Sequence, residues 1–265
     1  KAYANGWYTV EREPQQFAAR AKTVTAKGYK ALKVDPFGPG TYEMSRQEIM
    51  KSLELVAAIR DAVGPDVEIF IEGHGRFSPR TAIQIGKQLE EFNPGWYEEP
   101  VPPENAHALK QVHEQVNIPI ASGERWFTRY QFPEFLNSGA VDIVQADIIH
   151  AGGFLEMKKI AAMADAQYRV MAPHNSNGPV CTAASIHFGF CTTNYKVQEI
   201  FDDFVEPWVK EAVPGVPNVV DGYVELPTGP GLGISLNEDL IKEHPYKEGF
   251  FNLFANDWQK RQFAK

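Results

Sequence analysis

Three glutamates recur along the chain at intervals of 26 residues, each at the end of a short apolar run. They are Glu72, Glu98 and Glu124. Short apolar runs that end near Gly or Pro are typical of buried strands. Parallel strands would bring these three carboxylates to one place, on rigid elements, as a hard cation such as Mg²⁺ requires. The spacing therefore predicts a metal site; the alternative is that each acid only faces solvent in a loop.

Further apolar runs carry residues that can also do chemistry. Asp147, His174 and Glu199 each end such a run. An earlier run carries Lys33 and Asp35, whose side chains point to the same face because side chains alternate along a strand. These residues are expected to join the three glutamates at one end of a sheet.

Helical segments with recognisable start and stop signals separate the predicted strands. Ser45 to Glu48 and Thr128 to Gln131 fit capping boxes, and Ser78 precedes a first-turn proline. The repeated strand–helix alternation, with polar chemistry at the strand ends, predicts an α/β fold of the (β/α) barrel type. An open doubly wound sheet is the alternative, but it usually carries a G-x-G-x-x-G turn, and that pattern does not occur here.

Composition is consistent with one globular enzyme domain. The chain has 265 residues, of which 43% are hydrophobic, and a net charge of −8 without a basic cluster, which argues against a nucleic-acid partner. The sequence contains no apolar stretch of about 18 residues, so nothing in it suggests a membrane span. Cys181 and Cys191 are expected to be free buried thiols on one helix, as in a reducing compartment.

Seven short motifs occur in order along the predicted strand ends. They are Lys33-Val34-Asp35, Glu72-Gly73-His74-Gly75-Arg76, Glu98-Glu99-Pro100, Ser122-Gly123-Glu124-Arg125, Asp147-Ile148-Ile149-His150-Ala151-Gly152-Gly153, Ala172-Pro173-His174 and Gln198-Glu199. In these motifs the chain resembles the enolase superfamily, mandelate racemase subgroup, and within it the acid-sugar dehydratases of the galactonate and gluconate type.

The resemblance implies a TIM-like (β/α)7β barrel, with a catalytic domain at residues 1–205. It also implies a C-terminal extension, residues 206–265, that packs on the barrel and on an N-terminal capping domain. The chain begins directly before the first predicted strand, so we expect the capping domain to be absent from these residues. Without it, residues 1–265 should fold but show little dehydratase activity. Four valines and leucines of the extension should then be unusually exposed: Val219, Val220, Val224 and Leu226.

The resemblance also implies that Glu72, Glu98 and Glu124 bind Mg²⁺. It selects Glu98 rather than Glu99 as the ligand from the Glu-Glu-Pro motif. The first ligand of the family is commonly Asp, and Glu72 is a longer side chain at the matching position.

Removing a proton α to a carboxylate is difficult because it leaves two negative charges on one group, an enediolate. A divalent cation and the ammonium of Lys33 can neutralise that charge. His174 is suited to act as the base near neutral pH, with Asp147 accepting the other ring N–H and fixing the tautomer. By resemblance, Glu199 hydrogen-bonds the substrate carboxylate or enediolate.

The expected reaction is dehydration. Asp35 stands where racemase-like members carry a second lysine, so a base opposite His174 is missing. His74 would instead protonate a departing β-hydroxyl, giving a 2-keto-3-deoxy acid. The alternatives are a cycloisomerase or epimerase, an inactive metal-binding barrel, and, for His74, a hydrogen-bonded loop residue. The role of His150 is left open between structure and substrate contact.

The resemblance, together with the composition, also predicts the ligand and the assembly. The expected ligand is a small-molecule acid sugar, an aldonate or aldarate, and the expected assembly is a homo-oligomer, with no nucleic acid or membrane as partner. The protein would then be a cytoplasmic hydro-lyase of carbohydrate acid catabolism. Arg125 is expected to pair with neighbouring carboxylates rather than with a substrate hydroxyl.

Overall fold

Eight parallel strands form the centre of the molecule in the computed structural model, which describes residues 1–249 and 252–260. They are β1 (Ala2–Ala4), β2 (Ala31–Val34), β3 (Glu68–Glu72), β4 (Trp96–Glu98), β5 (Ile120–Ser122), β6 (Ile143–Val144), β7 (Val170–Met171) and β8 (Gln198–Ile200). The strand order is β7-β6-β5-β4-β3-β2-β1-β8.

The two ends of this sheet meet. The backbone N–H of Met171 in β7 donates to Asn194 O, and that of Lys196 donates to Met171 O, both at 2.8 Å. Tyr195, which pairs in parallel with Met171, precedes β8 in the chain. The sheet is therefore a closed barrel.

Helices follow the strands and cover the outside of the barrel. They are α1 (Pro14–Ala26), α2 (Arg46–Val63), α3 (Pro79–Leu89), α4 (Ala106–His113), α5 (Thr128–Ser138), α6 (Ile148–Ala151), α7 (Phe154–Asp165), α8 (Pro179–Phe190), α9 (Pro207–Glu211) and α10 (Glu238–Glu243). Short 3-10 turns occupy Glu90–Phe92, Asp202–Phe204 and Trp258–Lys260. The predicted (β/α)7β alternation is confirmed, with α6 as an addition between β6 and α7.

Two of the three predicted helix starts are confirmed. The Ser45 hydroxyl accepts a hydrogen bond from Glu48 N at 3.2 Å, and Ser78 caps α3 by accepting from Thr81 N. The prediction for Thr128 was wrong. Phe127 is the N-cap of α5, and its backbone N–H donates to the Gln131 side chain, because the chain turns through a positive φ of 54° at Thr128.

The prediction that both thiols are buried was also wrong in part. Cys181 is buried within α8, but α8 ends at Phe190, so Cys191 lies beyond the helix and is exposed. Both are free thiols, as expected. None of the described helices is long and apolar enough to cross a bilayer.

Aromatic rings fill the lower part of the barrel. Phe70 and Trp96 stack with ring centroids 3.5 Å apart, and Tyr3 meets them edge-on at 5.1 and 5.4 Å. These three side chains are at most 1% exposed. Two residues further along each strand, alternation places polar side chains inside the barrel. This polar layer contains Asn5, Lys33, Glu72, Glu98, Gln145, His174 and Glu199, all buried.

The C-terminal extension runs along the barrel from the amino-terminal ends of the strands, its lower end, to their carboxyl-terminal ends, its mouth. Gly222 O accepts a hydrogen bond from Ala2 N at the start of β1. Val220 is 71% exposed and Leu226 is 36% exposed, as expected, but the exposure prediction was wrong for Val219 and Val224. Val219 is buried and Val224 partly buried because both pack against the hydrophobic core.

Candidate active site

The three periodic glutamates converge at the mouth of the barrel. One carboxylate oxygen from each of Glu72, Glu98 and Glu124 lies within 4.8 Å of the others. Glu72 and Glu98 pair directly across β3 and β4, and Glu124 follows the end of β5. Glu72 and Glu98 are buried, and the Glu124 side chain is 15% exposed. The parallel register therefore produces the predicted cluster.

The ammonium of Lys33 lies beneath this cluster. Its Nζ is 2.6 Å from a Glu98 oxygen, 3.2 Å from Glu199 and 3.3 Å from Glu72. The Lys33 side chain is only 2% exposed, so its charge acts on these carboxylates with little screening by water. One buried cation is shared among three acids, and Glu124 is an additional acid beside them.

The pKa values show that negative charge is in excess here. Burial and the neighbouring Glu72 raise the pKa of Glu98 to about 8, although Lys33 opposes the change. Burial also opposes ionisation of Glu199, but Lys33 and His174 together lower its pKa to about 2. Oε2 of Glu72 is buried and lies 3.3 Å from Lys33 Nζ, but it accepts no well-aligned hydrogen bond from the described residues. Crowded carboxylate oxygens with an unsatisfied acceptor fit a divalent metal ion, so these residues could hold one.

In the presence of EDTA, we expect Glu98→Gln to raise the free energy of unfolding at pH 8 but not near pH 4.5. The folded chain keeps the Glu98 proton up to a pKa of about 8, whereas the ordinary pKa of a free glutamate carboxyl is 4.5. The unfolded state therefore binds fewer protons between these values, and the wild type loses stability as the pH rises through them. Urea denaturation across this pH window measures the difference, and a gain that does not vary with pH would contradict the explanation.

Asp147 and His174 form the predicted pair. Asp147 caps α6 by accepting from Ile149 N at 2.7 Å, and its other oxygen is 2.7 Å from both His174 Nδ1 and Asn177 Nδ2. A carboxylate only accepts, so this network assigns the proton to Nδ1. His174 Nε2 is left near Ser176 Oγ, at 3.1 Å.

The charges around His174 favour its protonated form. Burial alone would lower the pKa of His174, but Glu124, the hydrogen bond to Asp147 and Glu199 raise it to about 10. Glu124 Oε2 is 3.6 Å from Nε2. Because Glu124 is the strongest of the raising interactions, a positive charge placed beside that carboxylate would lower the pKa toward neutrality.

His74 belongs to a second pair with a carboxylate. Its Nδ1 is 2.5 Å from Asp35 Oδ2, and Arg76 bonds to the same oxygen. Burial would lower the pKa of His74, but Glu72 and Asp35 raise it. The chain turns sharply here, with a φ of 49° at His74, and the His74 side chain is 26% exposed. The imidazole is thus protonated more readily than a free histidine and borders solvent at the mouth.

Two further polar residues of the motifs, Arg125 and His150, have partners within the protein. Arg125 Nε donates to Glu99 at 2.9 Å, which agrees with the expectation that it pairs with a carboxylate. His150 Nδ1 bonds to Glu124 O at 2.9 Å, and its ring centroid is 6.1 Å from that of His174. Glu99 is therefore committed to Arg125 and lies outside the three-glutamate cluster.

Sequence reasoning missed several residues of this site. Asn5 Nδ2 and Asn175 N each donate to a Glu199 oxygen at 2.7 Å, so both oxygens already have protein partners. Ser176 and Asn177 contact the His174–Asp147 pair. The polar run that follows His174 was the available signal, whereas Asn5 gave none.

Comparisons with known proteins agree with this geometry. The profile described as "Enolase C-terminal domain-like" matches residues 16–240. A "D-gluconate/D-galactonate dehydratase" of Picrophilus torridus is 40% identical over 246 residues, which are 93% of this chain and 63% of that protein. A "D-gluconate dehydratase" of Thermoproteus tenax is 38% identical, over 92% of this chain and 49% of that protein.

A solved structure of a "Mandelate racemase/muconate lactonizing enzyme-like protein" from Roseovarius sp. TM1035 is similar with a TM-score of 0.88 and 37% identity. The match covers 94% of this chain and 65% of that one. The chain thus spans less than two thirds of the length of these relatives. The profile match covers most of the chain, and the chain belongs to the enolase C-terminal domain-like family, within the enolase superfamily.

Proposed function

We propose that the protein is a hydro-lyase that dehydrates an acid sugar, an aldonate or aldarate, to a 2-keto-3-deoxy acid with the help of Mg²⁺. Residues 1–205 would form the catalytic barrel, and residues 206–265 an extension that packs on it. The observation that carries the proposal is the placement of two histidine–aspartate pairs. His74 follows β3 and His174 follows β7, and strands four positions apart in an eight-stranded ring face each other. An acid and a base would thus flank the glutamate cluster.

In this proposal Glu72, Glu98 and Glu124 hold the Mg²⁺ ion. Three carboxylate oxygens on strand ends leave room for further oxygen ligands, which is the pattern Mg²⁺ favours. When bound, Mg²⁺ supplies positive charge against the negative charge that develops on the substrate carboxylate.

The base is His174. When the imidazole is neutral, a form that a positive charge beside Glu124 would favour, Nδ1–H is held by Asp147 and the lone pair of Nε2 is available to take the α-proton as the C–H bond breaks. The electron pair left on the substrate is shared with its carboxylate as an enediolate. Lys33, whose ammonium is buried beside Glu98 and Glu199, contributes a second fixed positive charge.

The acid is His74. Its Nδ1 is engaged by Asp35, so Nε2–H is the group that can donate a proton to the departing β-hydroxyl. The C–O bond then breaks with release of water, and the enol that remains tautomerises to the 2-keto-3-deoxy acid. His174 ends the cycle with one additional proton and His74 with one fewer, so exchange with solvent restores both.

The position of Asp35 bears on the alternatives. A racemase or epimerase with two bases would need a second group, besides His174, that can take a proton. His74 faces His174, but its raised pKa favours the protonated form, which is an acid rather than a base. Asp35 is instead fixed by His74 and Arg76, which lower its pKa against the opposing effect of burial. It is therefore a weak base, and this arrangement favours dehydration over two-way proton transfer.

The test is a screen of aldonates and aldarates with Mg²⁺ against the full-length protein, followed by NMR in heavy water. Loss of water should yield a 3-deoxy-2-keto product, and reactions with EDTA serve as the control. An epimer or a lactone-derived product without loss of water would instead identify the epimerase or cycloisomerase reaction.

A further inference from the structure

We define the C-terminal clasp as Trp258, Gln259 and Lys260. It lies at the barrel mouth and contacts loops that are far from it in the sequence. Gln259 Nε2 donates to Val10 O at 3.1 Å, and Lys260 pairs with Glu11. Trp258 and Gln259 are only 5% and 3% exposed. The clasp is therefore seated in the loop that follows β1.

Trp258 closes a ring of contacts around His74. Trp258 Nε1 donates to Gly38 O at 2.9 Å, and Arg76 Nη1 donates to the same oxygen. Arg76 bonds to Asp35, and Asp35 bonds to His74 Nδ1. The Trp258 ring then meets the His74 ring edge-on, with centroids 5.4 Å apart, and lies 5.8 Å from the Arg76 guanidinium carbon.

These contacts add to the restraints on His74, whose backbone N–H also donates to Glu72 Oε1 at 2.6 Å. His74 leaves β3 through a left-handed backbone conformation, and part of its side chain faces solvent. The hydrogen bond to Asp35 fixes one ring nitrogen but leaves the ring free to tilt about that bond. An edge-on aromatic contact restricts such tilting, and proton transfer depends steeply on that geometry.

We propose that Trp258 is a positioning residue that holds His74 in the orientation from which it donates a proton to the departing hydroxyl. The inference rests on the proposed dehydration. It assigns the C-terminal clasp a role in the second half of the reaction, the loss of water, and none in removal of the α-proton. Trp258 does not touch substrate in this role; it acts through His74.

The first measurement is the partition of the enediolate in heavy water, in the full-length protein. Trp258→Ala should raise the ratio of α-deuterium in recovered substrate to keto product by about tenfold or more. The base still works in this variant, but elimination is slowed. Trp258→Phe keeps an aromatic edge beside His74 and should restore most of the wild-type ratio.

The matched control is Trp208→Ala. Trp208 also belongs to the extension and stacks on a histidine, His244, with centroids 4.0 Å apart. Its loss should leave the partition ratio unchanged. An equal fall of exchange and elimination in Trp258→Ala, or an equal change in Trp208→Ala, would overturn the proposal.

The second measurement does not depend on turnover. Amide hydrogen exchange read by mass spectrometry should accelerate in Trp258→Ala over residues 72–78 and stay unchanged over residues 171–177, which carry His174. Uniform acceleration, or none over residues 72–78, would show that the clasp does not hold His74. If no acid sugar is dehydrated, the proposed reaction is wrong, and this measurement still decides whether the clasp restrains the histidine.

Discussion

Replacing His174 with asparagine should lower the rate of α-proton exchange into solvent by about 10²–10⁴-fold. Asparagine can still donate a hydrogen bond to Asp147, as His174 Nδ1 does now at 2.7 Å, so the local structure should persist. It offers no basic nitrogen in place of Nε2, and the α-proton then has no acceptor. Deuterium incorporation into substrate, followed by NMR, measures the loss, and Mg²⁺ affinity from calorimetry should stay nearly the same.

A matched control is His150→Asn. His150 belongs to the same Asp147–His150–His174 cluster, but its Nδ1 bonds to the backbone of Glu124. We expect less than about a tenfold change in exchange from this variant. Wild-type exchange in His174→Asn, or an equal loss in His150→Asn, would exclude His174 as the essential base.

Glu98 and Glu99 are neighbouring acids of the Glu-Glu-Pro motif, and substituting each in turn should distinguish an effect on metal binding from an effect on stability. Glu98→Gln is expected to weaken Mg²⁺ binding by at least about 100-fold, because it removes a charged ligand from the three-carboxylate cluster. Mg²⁺ at 100 times the wild-type Kd should stabilise the wild type by about 2.7 kcal/mol, and the same concentration should stabilise the variant by about 0.4 kcal/mol or less. Calorimetry and thermal melts with and without Mg²⁺ measure both effects.

Glu99→Gln is the comparison that makes this test specific. Glu99 is as deeply buried as Glu98, but it is committed to Arg125 and lies outside the cluster. Its substitution should destabilise the chain while leaving Mg²⁺ affinity within a few-fold of the wild type. Retained binding in Glu98→Gln together with lost binding in Glu99→Gln would reverse the assignment of the ligand.

The strand-end residues of the site were predictable from the sequence because two regular features place them. Side chains alternate along a strand, and parallel register brings the ends of neighbouring strands together. Those two rules position Glu72, Glu98 and Glu124, and they also bring Lys33 beneath them. The Ser45 cap was predictable for a similar reason, since its partner lies only three residues away.

The parts that depend on contacts between distant segments were not predictable. Trp258 packs against His74, and Val219 enters the core, because the extension folds back along the barrel, which no local pattern encodes. The Thr128 cap failed for a local reason, as the left-handed turn at that residue moves the start of α5. The cytoplasmic location and the homo-oligomer stay predictions.

The stacked aromatic rings inside the barrel affect how a ligand can reach and leave the glutamate cluster. Tyr3, Phe70 and Trp96 fill the lumen below the glutamate cluster, so among the described residues the cluster is open towards the mouth, where the side chains of Glu124 and His74 are partly exposed. A ligand that reached the cluster through the mouth would leave by the same opening. Any structure that covers the mouth would therefore control departure as strictly as arrival.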